Sequence, residues 1–129
     1  TNRTKVKDNT FVIIVTGTLV SPNNYYGLST STFSKDLEVR SNTFIVSGNL
    51  GTRPMRIINI DTTAEGVVKV DNNTIRADGL TNGTVYHAQF IRGTGYKVFT
   101  NNVTSGTGSI ALGTDVVESG NYGVTISKV

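Results

Sequence analysis

The sequence predicts an all-β domain of two packed layers, with about nine or ten antiparallel strands. Three observations predict it. Apolar and β-branched runs alternate with Gly, Asn, Ser and Pro clusters at intervals of about 8–12 residues. No stretch of 11 or more residues carries a helical apolar period. Thr, Ser, Asn and Gly stand where charge is usual: charged residues make up 16% of the 129 and hydrophobic residues 36%. Threonine suits strands, and asparagine and glycine suit turns.

The first run is Thr10–Val20, in which Phe11, Val12, Ile13, Ile14 and Val15 are all apolar. Apolar side chains on both faces predict a strand covered on both sides. A polar loop follows, from Ser21 to Gly27, with Tyr25 and Tyr26 side by side. Leu37–Val39, Thr43–Val46 and Met55–Ile60 are the next strands, separated by Ser-Gly-Asn and Gly-Thr-Arg-Pro turns. Val67–Val70 and Thr74–Ala77 flank Asp71-Asn72-Asn73, which reads as a tight hairpin because asparagine tolerates positive φ. Thr84–Arg92 alternates, which points Tyr86, Ala88 and Phe90 inward and His87 and Gln89 outward. Tyr96–Thr100 and Ser109–Leu112 each follow a Gly-Thr-Gly turn, and the last run is Tyr122–Ser127.

Residues 1–9, with Arg3, Lys5 and Lys7 on one face of an extended segment, read as a flexible basic arm. Residues 10–129 form one domain, with no linker and no internal boundary. The chain has no cysteine, hence no disulfide framework. No apolar run reaches the roughly 18 residues of a membrane span. Net charge is +3, but the basic residues are scattered. Three charges in the arm neutralise few phosphates, so nucleic acid is not an expected partner. Sequons at Asn2, Asn72, Asn82 and Asn102 occur about as often as chance supplies.

Leu80-Thr81-Asn82-Gly83-Thr84-Val85-Tyr86 carries a resemblance. With its flanks, Thr74–Arg92, it resembles the region of immunoglobulin-like and fibronectin type III sandwiches that holds their tyrosine corner. The resemblance implies an antiparallel sandwich in which Leu80, Gly83 and Tyr86 define the fold and the Tyr86 ring is buried. Asn82 stands where the family pattern has proline, and 43 residues follow Tyr86 where the family has about one more strand. A second Gly-to-Tyr junction, at Gly120 and Tyr122, echoes the first. If that junction is the true corner, the sandwich lacks a strand. Strand exchange with a neighbour would then complete it.

Catalysis needs a nucleophile, an acid–base pair or a metal held in a pocket. His87 is the one histidine, and no cysteine accompanies it. Asp36 and Glu38 share a face without an opposed partner. Asp71-Asn72-Asn73 and Asp61–Glu65 lack the spacing of a calcium loop. Gly93-Thr94-Gly95 and Gly106-Thr107-Gly108 lack the lysine and helix of a phosphate loop. The expectation is therefore a protein with no catalytic residue, no metal and no cofactor. It is read as a structural subunit of an extracellular, cell-surface or virion assembly, self-associating or joined to another surface protein. Phe11, Val12, Ile13, Ile14 and Val15 are its expected contacts. The alternative is a carbohydrate- or protein-binding module that uses Tyr25 and Tyr26.

Overall fold

A computed structural model describes residues 4–30, 36–61, 66–92 and 95–129, and the side chains of 91 and 92 lie outside the description. The chain winds through repeated three-strand turns. β1 (Thr4–Lys7), β2 (Thr10–Thr16) and β3 (Tyr25–Thr30) make the first. β4 (Leu37–Arg40), β5 (Thr43–Asn49) and β6 (Met55–Asp61) make the second. β7 (Val67–Asp71), β8 (Thr74–Thr81) and β9 (Val85–Arg92) follow, then β10 (Tyr96–Thr100), β11 (Val103–Gly106) and β12 (Ser109–Leu112). β13 (Val117–Ser119) and β14 (Ile126–Lys128) end the chain.

Every strand pair is parallel. The strands form three sheets: sheet A in the order β1-β4-β7-β10-β13, sheet B in the order β11-β8-β5-β2, and sheet C in the order β14-β12-β9-β6-β3. This is a β-solenoid. It overturns the predicted immunoglobulin-like antiparallel sandwich and the family resemblance with it. The physical reason is that short strands divided by turns obey the same local rules in both architectures. What separates them is where the chain goes after each turn, and local pattern does not encode that. The signal that does separate them is self-similarity at long period. Asn9-Thr10-Phe11, Asn42-Thr43-Phe44, Asn73-Thr74-Ile75 and Asn102-Val103-Thr104 open the four strands of sheet B.

Each of those asparagines sits just past a corner between sheets A and B. The residue before it has positive φ: Asp8 at 58°, Ser41 at 55°, Asn72 at 57° and Asn101 at 55°; Gly120, before a fifth asparagine, Asn121, has φ 67°. Asn72-Asn73 is therefore not a hairpin. Asn72 makes the turn as expected of asparagine, but the chain then moves to a different sheet.

Inward residues stack in register. Val39, Val70 and Phe99 form one column, Phe44 and Ile75 another, and Ile60, Phe90 and Leu112 a third. All of them are buried. The Phe11 ring stacks on Phe44 with centroids 4.9 Å apart. Each fully buried side chain of this size contributes roughly 1.5–3 kcal/mol.

The proposed corner residues are redistributed. Leu80 is buried, and a Cβ on Gly83 would lie 2.6 Å from the Arg53 carbonyl, so that position needs glycine. Tyr86 faces outward, half-buried, beside Arg56. Tyr122 is 78% exposed. His87, expected outside, is fully buried. Tyr86 pairs with Ser109 and Ala88 with Ile110, so His87 is an extra residue opposite β12. That bulge puts both His87 and Ala88 inside and breaks the alternation.

Candidate functional site: two unlike solenoid ends

Five asparagines connect the turns. Asn73 is buried and its Nδ2 donates to the Val39 carbonyl at 2.9 Å and to Asn102 Oδ1 at 3.0 Å. Its Oδ1 accepts the Asn42 backbone N–H at 3.0 Å and the Asn42 amide at 3.1 Å. Asn42 and Asn102 repeat the pattern one turn either way. The ladder starts at Asn9, which donates its N–H and Nδ2 to Asn42 Oδ1, both at 3.1 Å. It ends at Asn121, whose Nδ2 donates to the Phe99 carbonyl at 2.9 Å. A column of neutral, doubly satisfied amides specifies register, because a slip of one residue would strand each of them in the core. The sequence reading passed over these residues as turn formers.

Among the described residues, no strand pairs with the outer side of the first turn. β1, β2 and β3 are the edge strands of their sheets. Phe11, Ile13 and Leu28 are inward-facing yet half-buried, with no described strand stacked above them. Val15 is buried. Val12 and Ile14 lie on the outer face of β2, 67% and 72% exposed. Ile45 stands in register next to Val12 and is also exposed. The run predicted to be covered on both faces is thus an edge strand with one bare face. Thr4–Lys7, within the predicted arm, forms β1 against β4, and Lys5 pairs with Glu38 at 3.7 Å.

The C-terminal end differs. Glu118 lies in register under Phe99, and Lys128 under Leu112. Both are exposed charges: the Glu118 position is apolar in each turn above it, and the Lys128 position is apolar in the three turns above it and Thr30 in the first. Glu118 accepts from Asn121 Nδ2 at 3.2 Å, and Lys128 Nζ donates to the Gly113 and Val116 carbonyls. Lys97, at the inward position next to Val68, is 1% exposed and bonds Asp115 at 2.5 Å. That ammonium holds the Asp115 carboxyl below its usual range. Sheet B stops here: below β11 there is one bridge, Val103 to Tyr122. Charges on inward positions close a sheet stack against further strands.

A third feature lies on the outer face of sheet C. Tyr26, Arg56 and Tyr86 stand in register, with the guanidinium carbon 5.9 and 5.7 Å from the two ring centroids. Arg56 Nε donates to Gln89 Oε1. A shallow depression of about 320 Å³ beside them is lined by Asn24, Asn59, Asp61 and Gln89. The two adjacent tyrosines separate: Tyr26 faces this depression, while Tyr25 packs against the core and its hydroxyl accepts the Leu19 N–H at 3.0 Å.

Among the described residues, no group of three or more His, Cys, Asp or Glu could hold a metal, and no helix is long and apolar enough to cross a membrane. His87 Nε2 lies 2.9 Å from the Thr107 carbonyl, and burial lowers its pKa. Asp36 Oδ1 accepts the Val67 N–H, which uses it as a loop clamp. No family model, curated protein or solved structure matches the chain.

Proposed function

We propose that the chain is a non-catalytic structural subunit of a surface assembly, filament or virion component, joined to its neighbours at the N-terminal end by strand pairing and apolar contact. The observation that carries this reading is the asymmetry of the two ends. One leaves three edge strands, half-covered Phe11 and Ile13, and bare Val12 and Ile14. The other places charges on its inward positions. Long flat edges with exposed apolar side chains pair with other chains unless they are blocked.

Light scattering over a concentration series tests it. The wild-type chain should associate as concentration rises. The double variant V12K/I14K places charge on the outer face without touching the core, and should remain a monomer with an unchanged circular dichroism spectrum. A wild-type chain that stays monomeric at the highest concentration removes the reading.

The depression beside Tyr26 supports a second reading, a carbohydrate-binding module. An aromatic face, amides, one guanidinium and one carboxylate together suit the hydroxyls and apolar faces of a neutral sugar. Glycan-array binding that is lost in Tyr26→Ala would support it. No binding to any glycan would end it.

A further inference from the structure

We infer that the depression beside Tyr26 takes a neutral sugar that carries an N-acyl group, and that Arg56 and Gln89 set this preference. The inference rests on the reading of that depression as a sugar site.

Two arginines fix how the amides of the depression point. Arginine donates hydrogen bonds and never accepts them. Arg56 Nε donates to Gln89 Oε1, so the Gln89 NH2 group must face away from Arg56. Arg53 Nη2 donates to Asn24 Oδ1 at 2.9 Å, which turns the Asn24 NH2 group away in the same manner. Neither NH2 group has a partner among the described residues. Asn59 is turned the other way. Its Nδ2 donates to Ser29 Oγ at 3.2 Å, which leaves its Oδ1 to accept. Asp61, the last residue of β6, has a partner of its own.

The guanidinium of Arg56 is held between the rings of Tyr26 and Tyr86. Its Nε is taken by Gln89, and its Nη1 is buried with no hydrogen-bond partner. Nη2 is the one nitrogen left to a ligand. Arginine grips a carboxylate or a sulfate through two parallel N–H···O bonds, which need two free nitrogens on one edge. Both edges that include Nη2 have lost their second nitrogen, so Arg56 presents a single donor and not a fork. A single donor suits a carbonyl oxygen.

The depression is therefore rich in donors, with Arg56 Nη2 and two NH2 groups against the one Asn59 oxygen. Sugar hydroxyls alone match such a set poorly, because an amide carbonyl is the stronger acceptor. An N-acyl group supplies that carbonyl. Its own N–H can donate to Asn59 Oδ1, and its methyl can lie on Tyr26, whose side chain is 46% exposed. A free amine in the same place would set a second cation beside Arg56. A hydroxyl would leave donors unpaired, and a site built to bond a group discriminates against the analogue that lacks it.

The probe is a glycan array that carries neutral oligosaccharides of glucose and of galactose, their N-acetylated amino-sugar counterparts, the free amines and the uronic acids. The full chain should bind N-acetylated members at least roughly tenfold more tightly than the matching hexoses, amines and acids. Calorimetry with the N-acetylglucosamine trimer and the glucose trimer gives the same ratio in solution. Gln89→Glu keeps an acceptor for Arg56 Nε and removes only the NH2 group. It should lower the ratio towards unity and leave hexose binding unchanged. A ratio unchanged in Gln89→Glu overturns the inference. Should that variant unfold by circular dichroism, Asn24→Ala replaces it, with the same expected fall and the same reverse. Hexoses bound as tightly as their N-acetylated counterparts leave the sugar site standing and overturn the N-acyl preference, as does a preference for uronic acids. If no glycan binds, the sugar site and the inference fall together.

Discussion

At the scale of the residue, the asparagine ladder sets the largest expectation. Asn73 makes two donor bonds and accepts two, all within the core. Asn73→Ala leaves the Asn42 N–H and the Val39 carbonyl without their side-chain partners in a place water does not reach. Each orphaned group costs about 1–3 kcal/mol, so urea unfolding should show a loss of about 3 kcal/mol or more. Asn9→Ala removes the same chemistry from an exposed end and should cost under about 1 kcal/mol. Equal losses would mean that burial does not set the value of the ladder. His87 gives a second expectation, in pH. Burial depresses its folded pKa below the ordinary value near 6.5, so the unfolded chain binds the extra proton first. Stability is full above about pH 6.5. It falls as the pH drops towards the folded pKa and levels below it. As the only histidine, it gives a single NMR titration. That titration should have its midpoint below the ordinary histidine value, and His87→Leu should flatten the fall in stability. A ring that titrates at its ordinary pKa would refute the burial.

At the scale of the element, strands were legible and their partners were not. Tyr96–Thr100 and Ser109–Leu112 are strands with the bounds that the pattern predicts, and Thr10–Thr16, Met55–Asp61 and Val85–Arg92 fall within a few residues of theirs. Alternation marks them because each sheet buries one face. Corners misled, because a positive-φ asparagine serves a hairpin and a solenoid bend equally well. Asn72 obeyed its propensity, but the neighbour that decides the topology is Asn73, whose amide bonds a turn above and a turn below. The residues predicted as contacts, Phe11 to Val15, lie on β2, with Val12 and Ile14 on its exposed outer face and Phe11, Ile13 and Val15 facing inward. The ladder, the charged lower end and the Tyr26–Arg56–Tyr86 column depend on residues about 30 apart meeting in register. A repeat of Asn-Thr-Phe and Asn-Thr-Ile at that spacing was the available sign. Lys97 gave no sign at all, since nothing local announces a lysine on an inward position.

At the scale of the whole molecule, each turn touches the turns above and below it. Stability in such a stack is close to a sum over neighbours, and the ends open first. The two ends here should open differently. β2 pairs along seven residues with β5, which keeps the first turn in register. β14 pairs along three residues, β13 along three, and sheet B has one bridge in that turn. Fewer hydrogen bonds and less apolar burial mean a lower opening free energy. Native-state hydrogen exchange should therefore rank β5, β8, β6 and β9 as the slowest amides and the interior-facing amides of β1–β3 as intermediate. Residues 117–129 should exchange fastest. Occupation of the N-terminal end by a partner should raise β1–β3 to the level of the centre while residues 117–129 are unchanged. Protection that is uniform along the chain would show that the solenoid unfolds as one unit and that its ends are not separately poised.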